Sequence, residues 1–252
     1  TVIAVMSGKG GVGKSTVAAM VAVGLRRQGL RVGVLDSDIT GPSIPKLFGV
    51  QEPPTMSPLG IMPPQTPMGI KIMSINLMLE DEAQAVIWRG PMIASAINQF
   101  WNDVFWGDLD ALIVDMPPGT SDAALTVMQN LPVTGIILVT SPQDLAGMVV
   151  RKAAHMAEHL NTPLIGVVEN MSYVVCPHCG ERYTLFGTGD SKAMAEAFST
   201  RFLGEIGIDP QMAELGDQGA IETYDSQDFA ELTAVVRELV ENAPAPVPAA
   251  QK

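Results

Sequence analysis

Val2-Ile3-Ala4-Val5-Met6-Ser7-Gly8-Lys9-Gly10-Gly11-Val12-Gly13-Lys14-Ser15-Thr16 begins one residue into the 252-residue chain and decides its fold. Val2–Met6 is a short apolar run suited to a buried strand, and from Ser15 to Gln28 the apolar residues take helical spacing. Between them, Gly8–Ser15 satisfies the G-x-x-x-x-G-K-[ST] pattern, and strand, glycine loop and helix in that order are the context that gives the pattern meaning. Gly8, Gly10, Gly11 and Gly13, with Val12 between them, let backbone N–H groups turn inward around phosphate oxygens. The N-terminus of the helix adds a favourable dipole. Lys14 is spaced to reach the outer phosphates, Ser15 to ligate Mg²⁺, and Thr16 to join the same nucleotide cradle. Lys9 is one lysine more than such a loop needs.

Working outward, strand-like runs alternate with helical ones. The strands expected are Val2–Met6, Val32–Asp36, Ile70–Ser74, Ala111–Asp115, Gly135–Thr140, Leu164–Glu169 and Phe202–Ile206. The helices expected are Ser15–Gln28, Pro91–Val104, Asp122–Asn130, Leu145–Leu160, Asp190–Phe198 and Gln227–Glu241. This alternation predicts an α/β fold, a mostly parallel sheet with helices on both faces. In the second helix Ile93, Ile97, Phe100, Trp101 and Val104 share one face and read as core. Pro42–Pro67 holds eight prolines and reads as a long surface excursion without regular structure, its Met56, Leu59, Ile61, Met62 and Met68 packed on the domain itself. Residues 1–242 are expected to form one domain, and the Ala/Pro-rich 243–252 a disordered tail.

Composition narrows the function. Acidic residues outnumber basic ones 27 to 15, a net charge of −12, which argues against a nucleic-acid partner. No apolar run reaches the roughly 18 residues of a membrane span, and the tail lacks a basic amphipathic pattern, so no membrane partner is expected. The chain starts almost on its first strand without an initiator Met or an export signal. Its two cysteines, Cys176 and Cys179, are too close in sequence for a structural staple. They point to a reducing, cytoplasmic setting and a metal or redox role.

A phosphate loop needs carboxylates for Mg²⁺ and for the attacking water, at the ends of neighbouring strands. Asp115 closes Ala111-Leu112-Ile113-Val114 and suits the metal; the turn Met116-Pro117-Pro118-Gly119-Thr120-Ser121-Asp122 after it suits a γ-phosphate sensor. Asp36 and Asp38 end the second strand; we assign Asp36 to the metal shell and Asp38 to the water. One aspartate at a strand end is ordinarily a solvated cap. Three at the ends of two apolar strands beside such a loop point to catalysis.

The Lys-Gly-Gly-Val-Gly-Lys-Ser-Thr loop, the Asp36-x-Asp38 pair and the Asp115-Met-Pro-Pro-Gly turn resemble the deviant Walker A family, the Min, Par, arsenite-pump and nitrogenase-iron-protein ATPases. The resemblance implies a nucleotide-sandwich homodimer in which Lys9 reaches the phosphates held by the opposite subunit, as an arginine finger does. It also implies an adenine contact from Asn170.

Cys176-Pro177-His178-Cys179-Gly180 supports three readings. A redox pair should open a helix, yet no helical period follows. Zinc and a cubic iron–sulfur cluster each want about four ligands, so one chain supplies half a site and a two-fold dimer supplies a whole one. His178 is read as an exposed spacer. Trp88-Arg89-Gly90-Pro91-Met92, Asp115–Thr120 and the cysteine pair are most similar to the Mrp/ApbC branch of iron–sulfur carrier ATPases, from Val2 to about Asn242. That likeness implies ATP, Mg²⁺ and a [4Fe–4S] cluster bridging two subunits and carried to apo iron–sulfur proteins; this sequence departs from many members in not including their small N-terminal domain. The competing expectation is a zinc-stapled regulatory or positioning ATPase of the Min/Par type.

Overall fold

The protein is described by a computed structural model covering residues 1–38, 41, 43–78, 90–119, 122–143 and 147–242. In chain order, β1 (Val2–Ser7) leads into α1 (Lys14–Arg27), β2 (Val32–Asp36), α2 (Ile44–Phe48), β3 (Thr55–Ser57), β4 (Gly60–Met62) and β5 (Lys71–Ser74). Then come α3 (Gly90–Asn102), β6 (Ala111–Asp115), α4 (Asp122–Asn130), β7 (Gly135–Thr140), α5 (Gly147–His159) and β8 (Leu164–Asn170). The chain closes with β9 (Val174–Val175), β10 (Arg182–Tyr183), α6 (Ser191–Ala197), β11 (Arg201–Ile206), α7 (Pro210–Asp217) and α8 (Gln227–Asn242).

Seven strands form one sheet in the order β11-β8-β7-β1-β6-β2-β5, every neighbouring pair parallel. The central strands are continuous apolar runs because both faces are covered. Along β1, Ile3 and Val5 join the core shared with α1, α2 and α8, while Val2, Ala4 and Met6 join the core shared with α3, α4 and α5. Each fully buried aliphatic side chain there contributes roughly 1.5–3 kcal/mol. Helix α1 is buried along Val17–Val23 and at Leu25 because it lies between sheet and α8. Gly24 makes that approach possible: a Cβ there would overlap Thr233. The chain order reverses at β1, whose neighbours β6 and β7 come later in sequence, and the crevice at the carboxyl ends of such strands is where this fold class binds ligands.

All seven expected sheet strands and all six expected helices form, with ends shifted by a residue or two and α5 described from Gly147. Ile97, Phe100 and Val104 are buried as the stripe predicted, although Val104 lies past the helix, bridged to Ile61. The proline-rich excursion is a correction. It contains α2 and the β3–β4 hairpin, because its prolines fall where regular structure tolerates them: Pro45 in the first turn of α2, and Pro58 in the hairpin turn. Ile61 and Met68 pack on the domain as expected, but Met56 and Leu59 stand exposed at the hairpin tip. Sequence reading also missed α7, started by Asp209, whose carboxylate accepts the Gln211 N–H at 2.9 Å, and by Pro210 at its first position. The expected tail, Trp88 and Arg89, and Thr120 and Ser121 lie outside the described residues.

Candidate functional site

The phosphate loop joins the end of β1 to α1. Gly11 (φ 82°) and Gly13 (φ 77°) adopt left-handed backbone, which a side chain would strain. Where Cβ atoms would sit on Gly10 and Gly11 nothing lies within 4 Å, so a ligand can approach the backbone. Gly13 caps α1 with no side-chain bond, leaving the first-turn N–H groups open to an anion. Ser7 Oγ donates to the Lys9 carbonyl at 2.9 Å, and the Gly119 N–H donates to the Ser7 carbonyl at 2.9 Å, tying the turn after β6 to the start of the loop.

Lys14 is buried, and its Nζ donates to Asp115 Oδ1 at 2.5 Å and to Ser15 Oγ at 3.4 Å. Asp115 is fully buried, and its Oδ2 has no hydrogen-bond partner. Burial raises its pKa, an effect opposed by Lys14 and Ser15 and reinforced by the charge of Asp38. Asp36 is its neighbour in register across the β2–β6 pair. Burial, then the charge of Asp115, pushes Asp36 well above the ordinary carboxylate range. Asp36 also organises the chain: Oδ1 accepts the Asp38 N–H at 3.2 Å, and Oδ2 accepts the Ile44 N–H at 3.2 Å and the Ser74 hydroxyl at 3.3 Å. Asp38 is buried at the same strand end. The three aspartates and Lys14 therefore share one crevice, as the sequence predicted. Three crowded carboxylates beside one lysine, with an orphaned oxygen on Asp115, fit a hard divalent cation that arrives with its phosphates and waters. Among the described residues no three His, Cys, Asp or Glu side chains form a metal cage by themselves.

Lys9 Nζ donates to the Gln143 carbonyl at 3.4 Å, so within one chain it lies back on its own surface. Asn170, buried at the end of β8, donates from Nδ2 to the Val12 carbonyl at 2.9 Å, while its Oδ1 is buried without a partner. It fills the space beside Gly13, where a Cβ would overlap its amide. This bond to the loop backbone was not read from sequence.

Cys176 and Cys179 lie on the turn between β9 and β10, an antiparallel pair. The turn closes with the Gly180 N–H on the Cys176 carbonyl and the Cys176 N–H on the Glu181 carbonyl, both 2.9 Å. Backbone N–H groups of Cys179 and then His178, followed by the Cys179 side chain, hold the Cys176 thiol below its ordinary pKa. Both thiols are free, Cys179 is exposed, and no helix begins there, so the turn has the form of a metal knuckle and lacks the helix start a redox pair uses. His178 is exposed. Val175, Tyr183, Leu185 and Phe186 surround the turn with exposed apolar surface. The base is firmly held: Tyr173 donates to Asp228 at 2.6 Å, lies under the Arg182 guanidinium at 4.2 Å, and has its hydroxyl pKa pushed up by burial to about 12.

Comparison with known proteins finds nucleotide-binding and iron-transfer proteins similar to the whole chain. The family model described as NUBPL iron-transfer P-loop NTPase, of the ParA group, matches residues 1–243. The iron-sulfur cluster carrier protein of Methanocaldococcus jannaschii is 46% identical over 242 residues, 95% of this chain and 83% of that one. Its counterpart in Aquifex aeolicus is 44% identical over 248 residues, 96% of this chain and 68% of that one. Among solved structures, a nucleotide-binding protein from Archaeoglobus fulgidus in complex with ADP has a TM-score of 0.83 at 46% identity, covering 90% of each chain. The cell division ATPase MinD of Pyrococcus furiosus, at 20% identity over 94% of this chain and 98% of its own, has a TM-score of 0.70 and shares the fold.

Proposed function

The chain belongs to the iron-transfer P-loop NTPase family, and on that premise we propose that it is a homodimeric, ATP-hydrolysing carrier of a [4Fe–4S] cluster. The observation that carries the reading is the cysteine turn. It offers two free thiols on an exposed, apolar-rimmed hairpin of a nucleotide-binding domain, half the ligands that a cubic cluster takes. A second copy related by a two-fold axis supplies the other two. The cargo is then held between subunits and passed to apo-proteins that need it, in the reducing cytoplasm where such thiols stay free.

At the other end, the N–H groups of Gly10–Ser15 and the Lys14 ammonium bind the phosphates, with Gly8 and Thr16 at the margins of the cradle. Mg²⁺, held through Ser15, Asp115 and the outer shell at Asp36, would neutralise charge on the transferring phosphoryl group. Asp38 orients the attacking water. Lys9 leaves the Gln143 carbonyl to reach the partner subunit's nucleotide, where it stabilises charge as phosphoryl transfer proceeds. The unpaired Asn170 Oδ1 is an acceptor for the adenine amino group. Closure of the dimer around nucleotide draws the two cysteine turns together, and hydrolysis reopens it.

Anaerobic purification and reconstitution with iron and sulfide test the reading. Iron and sulfide in equal amounts, with visible absorption lost in a Cys176→Ala/Cys179→Ala variant, are expected. Equal iron in variant and wild type, or stoichiometric zinc without sulfide, would overturn it, the latter in favour of a zinc-stapled regulatory ATPase.

A further inference from the structure

Glu169 is a buried carboxylate that the nucleotide chemistry above leaves unused. It is the penultimate residue of β8, and its two oxygens are divided between a serine three residues on and another 22 residues on. Oε1 accepts the Ser172 hydroxyl at 2.6 Å, just before the cysteine turn; Oε2 accepts the Ser191 hydroxyl, at the start of α6 just after it. The backbone at Gly189 presses on the same carboxylate, so closely that a Cβ there would overlap it. One side chain thus clasps both ends of the segment that carries Cys176 and Cys179.

The next two residues face the other way. Asn170 holds the Val12 carbonyl and occupies the space beside Gly13. The Met171 methyl lies 3.6 Å from where a Gly13 Cβ would be. Met171 has φ 59°, a left-handed conformation that a non-glycine residue keeps only where its surroundings over-determine it. That turn reverses the chain so that Ser172 returns to Glu169. Within three consecutive residues, then, the phosphate loop is gripped by Asn170 and Met171, and the cysteine segment by Glu169.

We propose that Glu169 is a positioning residue that couples the phosphate loop to the cysteine turn. When nucleotide moves Val12 and Gly13, Asn170 and Met171 move with them, and the Glu169 clasp carries the shift to both ends of the thiol-bearing segment. Tightly packed elements transmit small displacements because a close-packed core does not deform continuously. The proposal rests on the reading of the turn as the cargo site, yet its test needs no cargo.

The test follows alkylation of Cys176 and Cys179 by N-ethylmaleimide in reduced, metal-free protein, alone and with Mg²⁺ plus ADP or a non-hydrolysable ATP analogue. In wild type, nucleotide should change the thiol rates by about 5-fold or more, the range of ordinary coupling between sites. In Glu169→Ala the change should fall below about 2-fold while nucleotide affinity stays within about 3-fold, because the clasp is open and the phosphate loop intact. Glu169→Gln keeps the shape, accepts from one serine and donates to the other, and should restore the response. Ser172→Ala/Ser191→Ala opens the clasp from the opposite side and should lose it, which keeps the test decisive if Glu169→Ala does not fold. Wild-type thiols indifferent to nucleotide, or a clasp-opened variant with the full response, would overturn the coupling. Wild-type thiols that respond in a protein that binds no iron would instead overturn the cargo reading and leave the coupling standing.

Discussion

The phosphate loop and the cysteine turn differ in how much of their chemistry one chain completes. The loop is bounded by the buried strand β1 and the helix α1, its lysine already paired with Asp115, its donors aimed and its glycines set in the conformations a phosphate needs. Its donors need only a small adjustment at Val12 and Gly13 when nucleotide arrives, close to the condition under which electrostatic stabilisation acts at full strength. The turn has the opposite character. Its thiols are open to solvent, its rim is apolar and exposed, and its two ligands are half a cluster's requirement. One site is built by the fold of a single chain; the other, as we propose, is finished by a second copy. In our reading Lys9 belongs with the second kind although it sits inside the first, since its Nζ lies back toward the Gln143 carbonyl of its own chain.

That contrast breaks first at Lys14. Lys14→Ala should lower ATP turnover roughly 10³-fold, because the charge on the transferring group loses its nearest cation. It should also lower stability by about 3–5 kcal/mol, since Asp115 is left as an uncompensated buried carboxylate. Phosphate release and denaturant melts measure the two, and normal turnover would remove the loop from the account.

Lys9→Ala should lower turnover about 10²-fold while leaving nucleotide affinity within about 3-fold, the mark of a group that acts on the reacting phosphate from outside the binding cradle. Mixing Lys9→Ala with Lys14→Ala protein sharpens the comparison. In the mixed dimer one site keeps its own Lys14 and receives the partner's Lys9, so part of the activity should return. No recovery on mixing would place Lys9 in its own subunit.

At the turn the expected effects reverse. Cys176→Ala/Cys179→Ala should abolish iron binding yet change stability by no more than about 1 kcal/mol, since Cys179 is exposed and Cys176 only half-buried. A large loss of stability would mean that the thiols belong to the fold.

The smallest effect concerns the base of the hairpin. Tyr173 keeps its proton up to about pH 12 in the fold, against an ordinary value near 10. Its neutral hydroxyl therefore contributes fully below pH 10, and the contribution is lost as pH rises toward 12. Stability should fall in that window, and Tyr173→Phe should flatten that part of the curve. Denaturation midpoints from pH 9 to 12 check it.

Much of the nucleotide end was legible because its signals are local. Strand, glycine loop and helix lie within 28 residues, Asp36 and Asp115 each close an apolar run, and Asp38 follows Asp36 by two residues. Less visible were features that depend on distant residues meeting. Nothing in the spacing of Glu169, Ser172 and Ser191 marks one carboxylate holding both serines, and Asn170 gives no sign that it will reach Val12. The proline-rich stretch misled for another reason. Counting prolines says how many N–H donors are missing but not where, and Pro45 and Pro58 fall where none was needed. Asp209-Pro210, by contrast, was a readable helix start for α7 that the missing apolar stripe concealed.

That a second copy completes the cysteine site is tested most directly by native mass spectrometry of anaerobically reconstituted protein. The expected species is a dimer carrying one cluster of about four irons and four sulfides, and no cluster on single chains. A monomer that holds a cluster by itself, or a dimer loaded with zinc alone, would contradict it.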